Sequence, residues 1–117
     1  MVGSIKLVLS VYFFRTETGN EPVRQWLKEL GAADRKTIGE DVKTVQIGWP
    51  LGMPLVRKMS RDLWEVRIHL PRRIARIIFT VVGDDMVLLH GFIKKSQATP
   101  QDYLDLARER LRQLRKG

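Results

Sequence analysis

Arg76 stands between Ala75 and Ile77, in a run from Ile74 to Val82 whose only other polar residue is Thr80. A guanidinium in apolar surroundings needs an anionic or hydrogen-bonding partner, because an unpaired buried cation is strongly destabilising. The sequence offers two: the carboxylate of Glu65, or a phosphate bound from outside. Other cations gather in the same half of the chain, at Arg57-Lys58, Arg67, Arg72-Arg73 and Lys94-Lys95. Arg67 by itself reads as part of a solvated strand face, and Glu65 as one end of a cross-strand ion pair. Taken with Arg76, the cations read as a site for an anion.

Several other chemistries are excluded. There is no cysteine, so no disulfide, thiolate metal site or cysteine nucleophile. No Gly-rich Walker loop and no His-Glu-x-x-His motif occurs. His69 and His90 are the only histidines and lack the carboxylates that a catalytic metal would need beside them. No metal and no cofactor is expected. His90, inside an apolar strand, reads as a hydrogen-bonded core histidine, whereas His69 is open to an acid–base role. Phe92 shares a face with His90 and Lys94; it is either core or, near a strand end, a platform for a base.

The elements that must position these residues follow from periodicity. Residues 4–14, rich in Ile, Val, Leu, Tyr and Phe, predict a strand, and Thr16 to Asn20 a turn. Asn20 is the expected cap of a helix with Glu21 and Pro22 in its first turn and Val23, Trp26, Leu27 and Leu30 at helical spacing. Gly31 ends it. A second helix is predicted from Asp34 to residue 48, with Ile38, Val42, Val45 and Trp49 on one face. Residues 49–54, Trp-Pro-Leu-Gly-Met-Pro, must be a loop.

The period then changes to two. Trp64, Val66, Ile68 and Leu70 alternate with Glu65, Arg67 and His69, which predicts a strand with one buried and one polar face. Pro71 to Arg73 turns the chain, Ile74 to Val82 is a second strand, Gly83-Asp84-Asp85 a tight turn, and Met86 to Ile93 a third strand. An even loop after Leu70 would put Arg76 on the face of Arg67; a three-residue loop would put it on the other. Thr99 is the expected cap of a last helix, with Pro100 at its start and Leu104, Ala107, Leu111 and Leu114 as its apolar stripe. Tyr103 is expected to pack in that helix's first turns. The helix's arginine-rich side is either a solvated face or one that tracks RNA or a partner's acids. The order is β-α-α-β-β-β-α: an α+β fold with an antiparallel meander, two N-terminal helices packed on one sheet face and a C-terminal helix. Trp26, Ile38, Val42, Trp64, Val66 and Ile68 are the expected core.

Size and charge agree with this. A chain of 117 residues fits one domain, residues 1–117, with an ordinary hydrophobic core. The longest apolar run, Leu7 to Phe14, is far short of the roughly 20 residues of a membrane helix. Met1-Val2-Gly3-Ser4 does not open a secretory signal, so a cytoplasmic setting is expected. Residues 1–53 hold 7 basic and 6 acidic groups, but residues 54–117 hold 14 and 7. A one-sided basic field suggests an anionic partner, nucleic acid first.

Several stretches carry a resemblance: Leu63-Trp64-Glu65-Val66-Arg67; Arg73-Ile74-Ala75-Arg76-Ile77-Ile78-Phe79; and Val87 to Pro100, with its Gly-Phe-Ile-Lys-Lys run followed by Thr-Pro. With Glu21 to Leu27 and Gly52-Met53-Pro54-Leu55, they resemble the phage-derived toxin-like branch of the RelE/HigB family. The resemblance implies a small α+β toxin of a type II toxin–antitoxin pair, with a RelE-like fold. It implies a ribosome-dependent mRNA endoribonuclease that inhibits translation without a metal. Arg67, Arg76, Lys94 and Lys95 match the catalytic positions, and Arg57, Lys58, His69, Arg72, Arg73 and Phe92 are the expected RNA-binding residues. The implied partners are the ribosome, mRNA and an antitoxin, expected to be a helix-turn-helix protein, with DNA touched only through the antitoxin complex.

The bare residues are consistent with that chemistry. Cleavage by a 2′-hydroxyl needs a phosphorane dianion stabilised, and preorganised cations do this. It also needs a base for the 2′-hydroxyl and an acid for the leaving oxygen. A lysine whose pKa is lowered by neighbouring arginines, or His69, could be the base. Several RelE-type toxins carry Tyr or His where this chain has Ser96-Gln97-Ala98 after Lys95, so the acid and base stay open. The alternatives are an RNA-binding protein without cleavage, and a protein whose main role is to bind an antitoxin and assist its operator binding.

Overall fold

The computed structural model describes residues 7–116. In chain order they form β1 (Ser10–Phe13), α1 (Pro22–Lys28), α2 (Ala32–Gly48), β2 (Val56–Ser60), β3 (Leu63–Leu70), β4 (Arg73–Val82), β5 (Asp85–Ile93) and α3 (Gln101–Lys116). One sheet contains all five strands in the order β1-β5-β4-β3-β2. Strands β2 to β5 pair antiparallel in succession, and β1 lies parallel to β5.

Three features correct the sequence expectation. First, the meander has an additional edge strand, β2. Val56 is its only buried residue, and Arg57-Lys58 hide the pattern. Outward charges suit an edge, because they discourage pairing with another chain. Second, the sheet is mixed: β1, the first strand in the chain, pairs parallel with β5, the last, and a pairing so distant in sequence leaves no local signal. Third, α1 and α2 share one face of the sheet and α3 takes the other. Residues 4–6 of the expected first strand lie outside the described residues; within them the strand starts at Ser10, after Val8 and Leu9 donate to the carbonyl of Gln46 at 2.7 and 3.1 Å.

The face under α1 and α2 is the larger core. Trp64, Val66, Ile68 and Leu70 of β3 meet Ala75, Ile77 and Phe79 of β4 and Met86 and Leu88 of β5, beneath Val23, Ile38, Val42 and Val45. Four of the six expected core residues, Ile38, Val42, Val66 and Ile68, are buried; Trp26 and Trp64 are half-buried. Trp64 does point into this face, edge-on to Trp49 with ring centroids 5.1 Å apart.

The opposite face packs Leu63, Ile78, Val87, Leu89 and Phe92 against Ala107 and Leu111 of α3. The stripe of α3 needs an apolar surface, and the end of the sheet around Ile78 and Val87 supplies it. The expected polar face of β3 is therefore graded: Glu65 is buried, Arg67 half-buried and His69 exposed.

The caps also differ. Glu21, not Asn20, is the cap residue of α1. The backbone N–H of Asn20 donates to Thr16 Oγ1 at 3.0 Å, which holds it in the preceding turn. Helix α2 begins at Ala32, and Asp34 stands in its first turn.

Helix α1 docks on β5 through a missing side chain. A Cβ at Gly91 would lie 2.5 and 2.6 Å from ring atoms of Trp26. Gly91→Ala should cost about 1–3 kcal/mol by overpacking, read as a lower urea midpoint with an unchanged m-value.

Candidate functional site

The β3–β4 hairpin sets the geometry. Leu70 pairs with Arg73, so Pro71 and Arg72 alone make the turn, with Arg72 at φ +60°. This even loop places Arg67 directly opposite Arg76 on the α3 face. Three rows of side chains cross that face. Arg57, Glu65, Ile78 and His90 form one; Arg67, Arg76 and Phe92 the next; His69 and Ile74 the third, where Lys94 N donates to Ile74 O at 2.7 Å.

Where the first two rows meet, the face is dry. Arg76 is 1% exposed and Glu65 0%. Arg76 Nε lies 3.5 Å from Glu65 Oε1, an ion contact without a well-formed hydrogen bond. Its other nitrogens leave the sheet: Nη1 donates to Thr99 Oγ1 at 3.1 Å and Nη2 to the carbonyl of Gln97 at 3.4 Å. The Thr99 hydroxyl in turn donates to Glu65 Oε2 at 2.7 Å. Of the two partners weighed from the sequence, Glu65 is present and the guanidinium does not face solvent. Burial lowers the Arg76 pKa, Glu65 opposes this, and Arg67 and Arg57 add to the lowering; an arginine remains charged all the same.

The remaining cations separate by face. Lys94 lies half-buried and Lys95 exposed at the end of β5. With Arg72, Arg73, Ile74, Ser96 and Gln97 they line an open groove of about 600 Å³. Arg67 and His69 belong to the adjoining rows. Arg73 turns to the other face and pairs with Asp34 of α2. Lys58 also leaves the set: it shares its face with Trp64 and holds its ammonium 5.6 Å from that ring. Arg57, Arg67, Arg72, Lys94 and Lys95 have no described carboxylate within salt-bridge distance.

Phe92 is 6% exposed and belongs to the core under α3, with its ring centroid 4.6 Å from that of Tyr103. His90 packs on the same Tyr103 ring at 4.5 Å, and its buried Nε2 has no hydrogen-bond partner among the described residues. The expected hydrogen bond of a core histidine is thus missing there. Burial, with Arg110 nearby, pushes the His90 pKa down to about 4. Arg110 itself donates to the carbonyl of Leu89 at 2.6 Å, where a bulge interrupts the β4–β5 register. Thr99 and Gln97 are the residues that sequence reasoning missed. Thr99 carried the signature of a helix cap, and its hydroxyl faces the sheet instead. Among the described residues no group of three or more His, Asp or Glu is placed to hold a metal ion, and no helix is long and apolar enough to cross a membrane.

The family model described as "Phage derived protein Gp49-like (DUF891)" matches residues 25–112. The chain belongs to this family. The Gp49-like proteins are a toxin-like family of RelE/HigB type. The match runs from within α1 into α3 and so contains every candidate cation from Arg57 to Lys95. No curated protein matches the chain.

Two outcomes follow for this Gp49-like chain. Glu65→Ala strands the Arg76 charge and should cost about 3–5 kcal/mol in urea unfolding, whereas Glu65→Leu with Arg76→Met should recover most of it. His90 binds its proton at about 4 when folded and near 6.5 when unfolded. The unfolded chain therefore takes up the extra proton between these values, and stability falls as pH drops through that window. From pH 7 to pH 5 the loss should be about 2 kcal/mol, and His90→Phe should remove that share of the slope.

Proposed function

We propose that this Gp49-like protein is the toxin of a toxin–antitoxin pair and cleaves mRNA on the ribosome. The observation that carries the reading is a set of cations with no described carboxylate in salt-bridge reach: Arg72, Lys94 and Lys95 on an open groove at one end of the sheet, and Arg67 in an adjoining row. Membership of a toxin-like family supports it. Structural ion pairing accounts for Arg73, Arg76 and Arg115, but not for these four.

In this reading the groove cations hold the phosphates on either side of the scissile bond. The 2′-oxygen attacks the adjacent phosphorus, the bond to the 5′-oxygen breaks, and the products are a cyclic phosphate and a 5′-hydroxyl. Lys94 and Lys95 stabilise the negative charge that develops on the phosphorane oxygens. Arg67 adds to that field, and Arg76 acts from beneath the groove, where Glu65 offsets its charge. Lys94 or His69 takes the 2′-hydroxyl proton, and solvent water gives a proton to the leaving 5′-oxygen. The ribosome positions the strand, which lets a site poor in acid–base groups suffice. No metal takes part. The expected partner besides ribosome and mRNA is a helix-turn-helix antitoxin, through which the complex touches operator DNA.

Incubation with programmed ribosomes should yield mRNA fragments ending in a 2′,3′-cyclic phosphate. Lys94→Ala/Lys95→Ala should lower the cleavage rate at least tenfold with the fold intact. Arg72→Ala should leave the products unchanged, weaken ribosome association and lower its salt dependence by about one phosphate contact. Arg73→Ala should act mainly on stability, through Asp34. Salt-dependent association without any product would instead make the chain a binding module.

A further inference from the structure

The segment that carries Lys94 and Lys95 has no regular secondary structure between Ile93 and Gln101, yet it is tied to the sheet at three points. Lys94 N is bound to Ile74 O, Gln97 O accepts from Arg76 Nη2, and Thr99 Oγ1 bridges Arg76 Nη1 and Glu65 Oε2. Within the segment, Lys94 Nζ donates to Gln97 Oε1 at 3.4 Å and Ser96 Oγ to Ala98 O at 2.9 Å. The geometry points to Thr99 as a positioning residue: through the buried Glu65–Arg76 pair it clamps this strap, and so fixes where the two lysines stand. The consequence for catalysis rests on the function proposed above; the clamp itself does not.

The energetic argument starts from the cost of the pair. Two charges removed from water are seldom better for stability than well-packed apolar side chains of the same volume. What the pair supplies is direction. Two guanidinium nitrogens donate to the strap while Nε only lies in ion contact with Glu65 Oε1 on β3, so Arg76 joins a sheet strand to an irregular segment as a planar fork. Among the described residues, Thr99 is the one side chain hydrogen-bonded to both ions. It gives Glu65 a donor and Arg76 an acceptor where both ions are all but removed from water. Removing its hydroxyl leaves both ions short of a partner, and each regains one most readily if the strap lifts and admits water. Lys94 N keeps its bond to Ile74 O, but the strap beyond it would then hold the two lysines less firmly relative to Arg67, and preorganised charge is lost even though no cation has been removed.

Trypsin provides a direct probe, because both lysines are cleavage points inside the strap. The full chain under native conditions should be cut after Lys94 or Lys95 at least tenfold more slowly than a peptide spanning residues 90–103. Thr99→Val, nearly the same shape without the hydroxyl, should raise that cleavage at least tenfold while cleavage at other sites stays within twofold, and Thr99→Ser should restore resistance. Wild-type cleavage as fast as the peptide's, or equal rates for Thr99→Val and wild type, would overturn the clamp; the wild-type arm holds even if the valine variant does not fold. On programmed ribosomes, Thr99→Val should lower mRNA cleavage about tenfold in the wild-type background and less than twofold in Lys94→Ala/Lys95→Ala, because it acts through those lysines. Equal losses in both backgrounds would overturn the positioning role. If the wild-type chain leaves mRNA intact, the proposed function fails, and the trypsin comparison decides the clamp without it.

Discussion

A buried contact between Glu65 and Arg76 constrains the rest of the molecule. An ion pair at 3.5 Å with almost no exposure on either side survives only if neighbouring groups complete its hydrogen bonds. β3 and β4 must keep their register, because a slip of one residue would send both charges to opposite faces of the sheet. The chain beyond β5 must come back over the pair, because Thr99 and Gln97 are its other partners. That return path also delivers α3 to the same face. A single polar requirement thus fixes the hairpin, the strap and the point where the last helix begins.

The face under α3 changes character along the strands for the same reason. At one end, Leu63, Ile78, Val87 and Leu89 receive the apolar stripe of the helix. At the other, beyond the start of α3, the sheet is left to Arg67, His69 and the groove of Arg72, Lys94 and Lys95. The ion pair stands between the two regions. Arginines of α3 close the apolar end: Arg110 bonds the carbonyl of Leu89, Arg108 bonds Ser60 and Arg115 pairs with Asp62. The basic excess of the second half is therefore of two kinds. One part holds the helix to the sheet, and the other has no described carboxylate within salt-bridge distance, which leaves its field uncompensated locally.

The other face shows the same economy of contact without charge. The absent side chain of Gly91 admits the Trp26 ring, which brings α1 down on β5, and Trp49, Trp64 and Phe79 interlock where α2 ends. Both faces of the sheet are thereby covered, and the exposed polar strip that alternation alone would leave on β3 shrinks to the cation end.

Much of this was legible in the residues themselves. Period-two alternation over Trp64 to Leu70, the apolar run with Arg76 inside it, and helical spacing from Ile38 to Val45 report local geometry, which neighbours in sequence determine. The demand of Arg76 for a partner was equally local, since it follows from an apolar strand and a guanidinium. Which partner it takes was not, because Glu65 and Thr99 are 11 and 23 residues away and only the register of one hairpin and the fold-back of one strap bring them together. The same holds for the cations. Sequence could place Arg57, Lys58, Arg72 and Arg73 near one another, but strand alternation sends Lys58 to Trp64, and α2 draws Arg73 to Asp34. β2 escaped notice because an edge strand needs one buried residue rather than a pattern, and the parallel pairing of β1 with β5 is set by packing across the whole domain. Residue types and their periods determined the elements and the existence of a charge that must be answered. Tertiary structure decided what answers it, because a buried charge is stabilised by whatever the fold brings within hydrogen-bond reach.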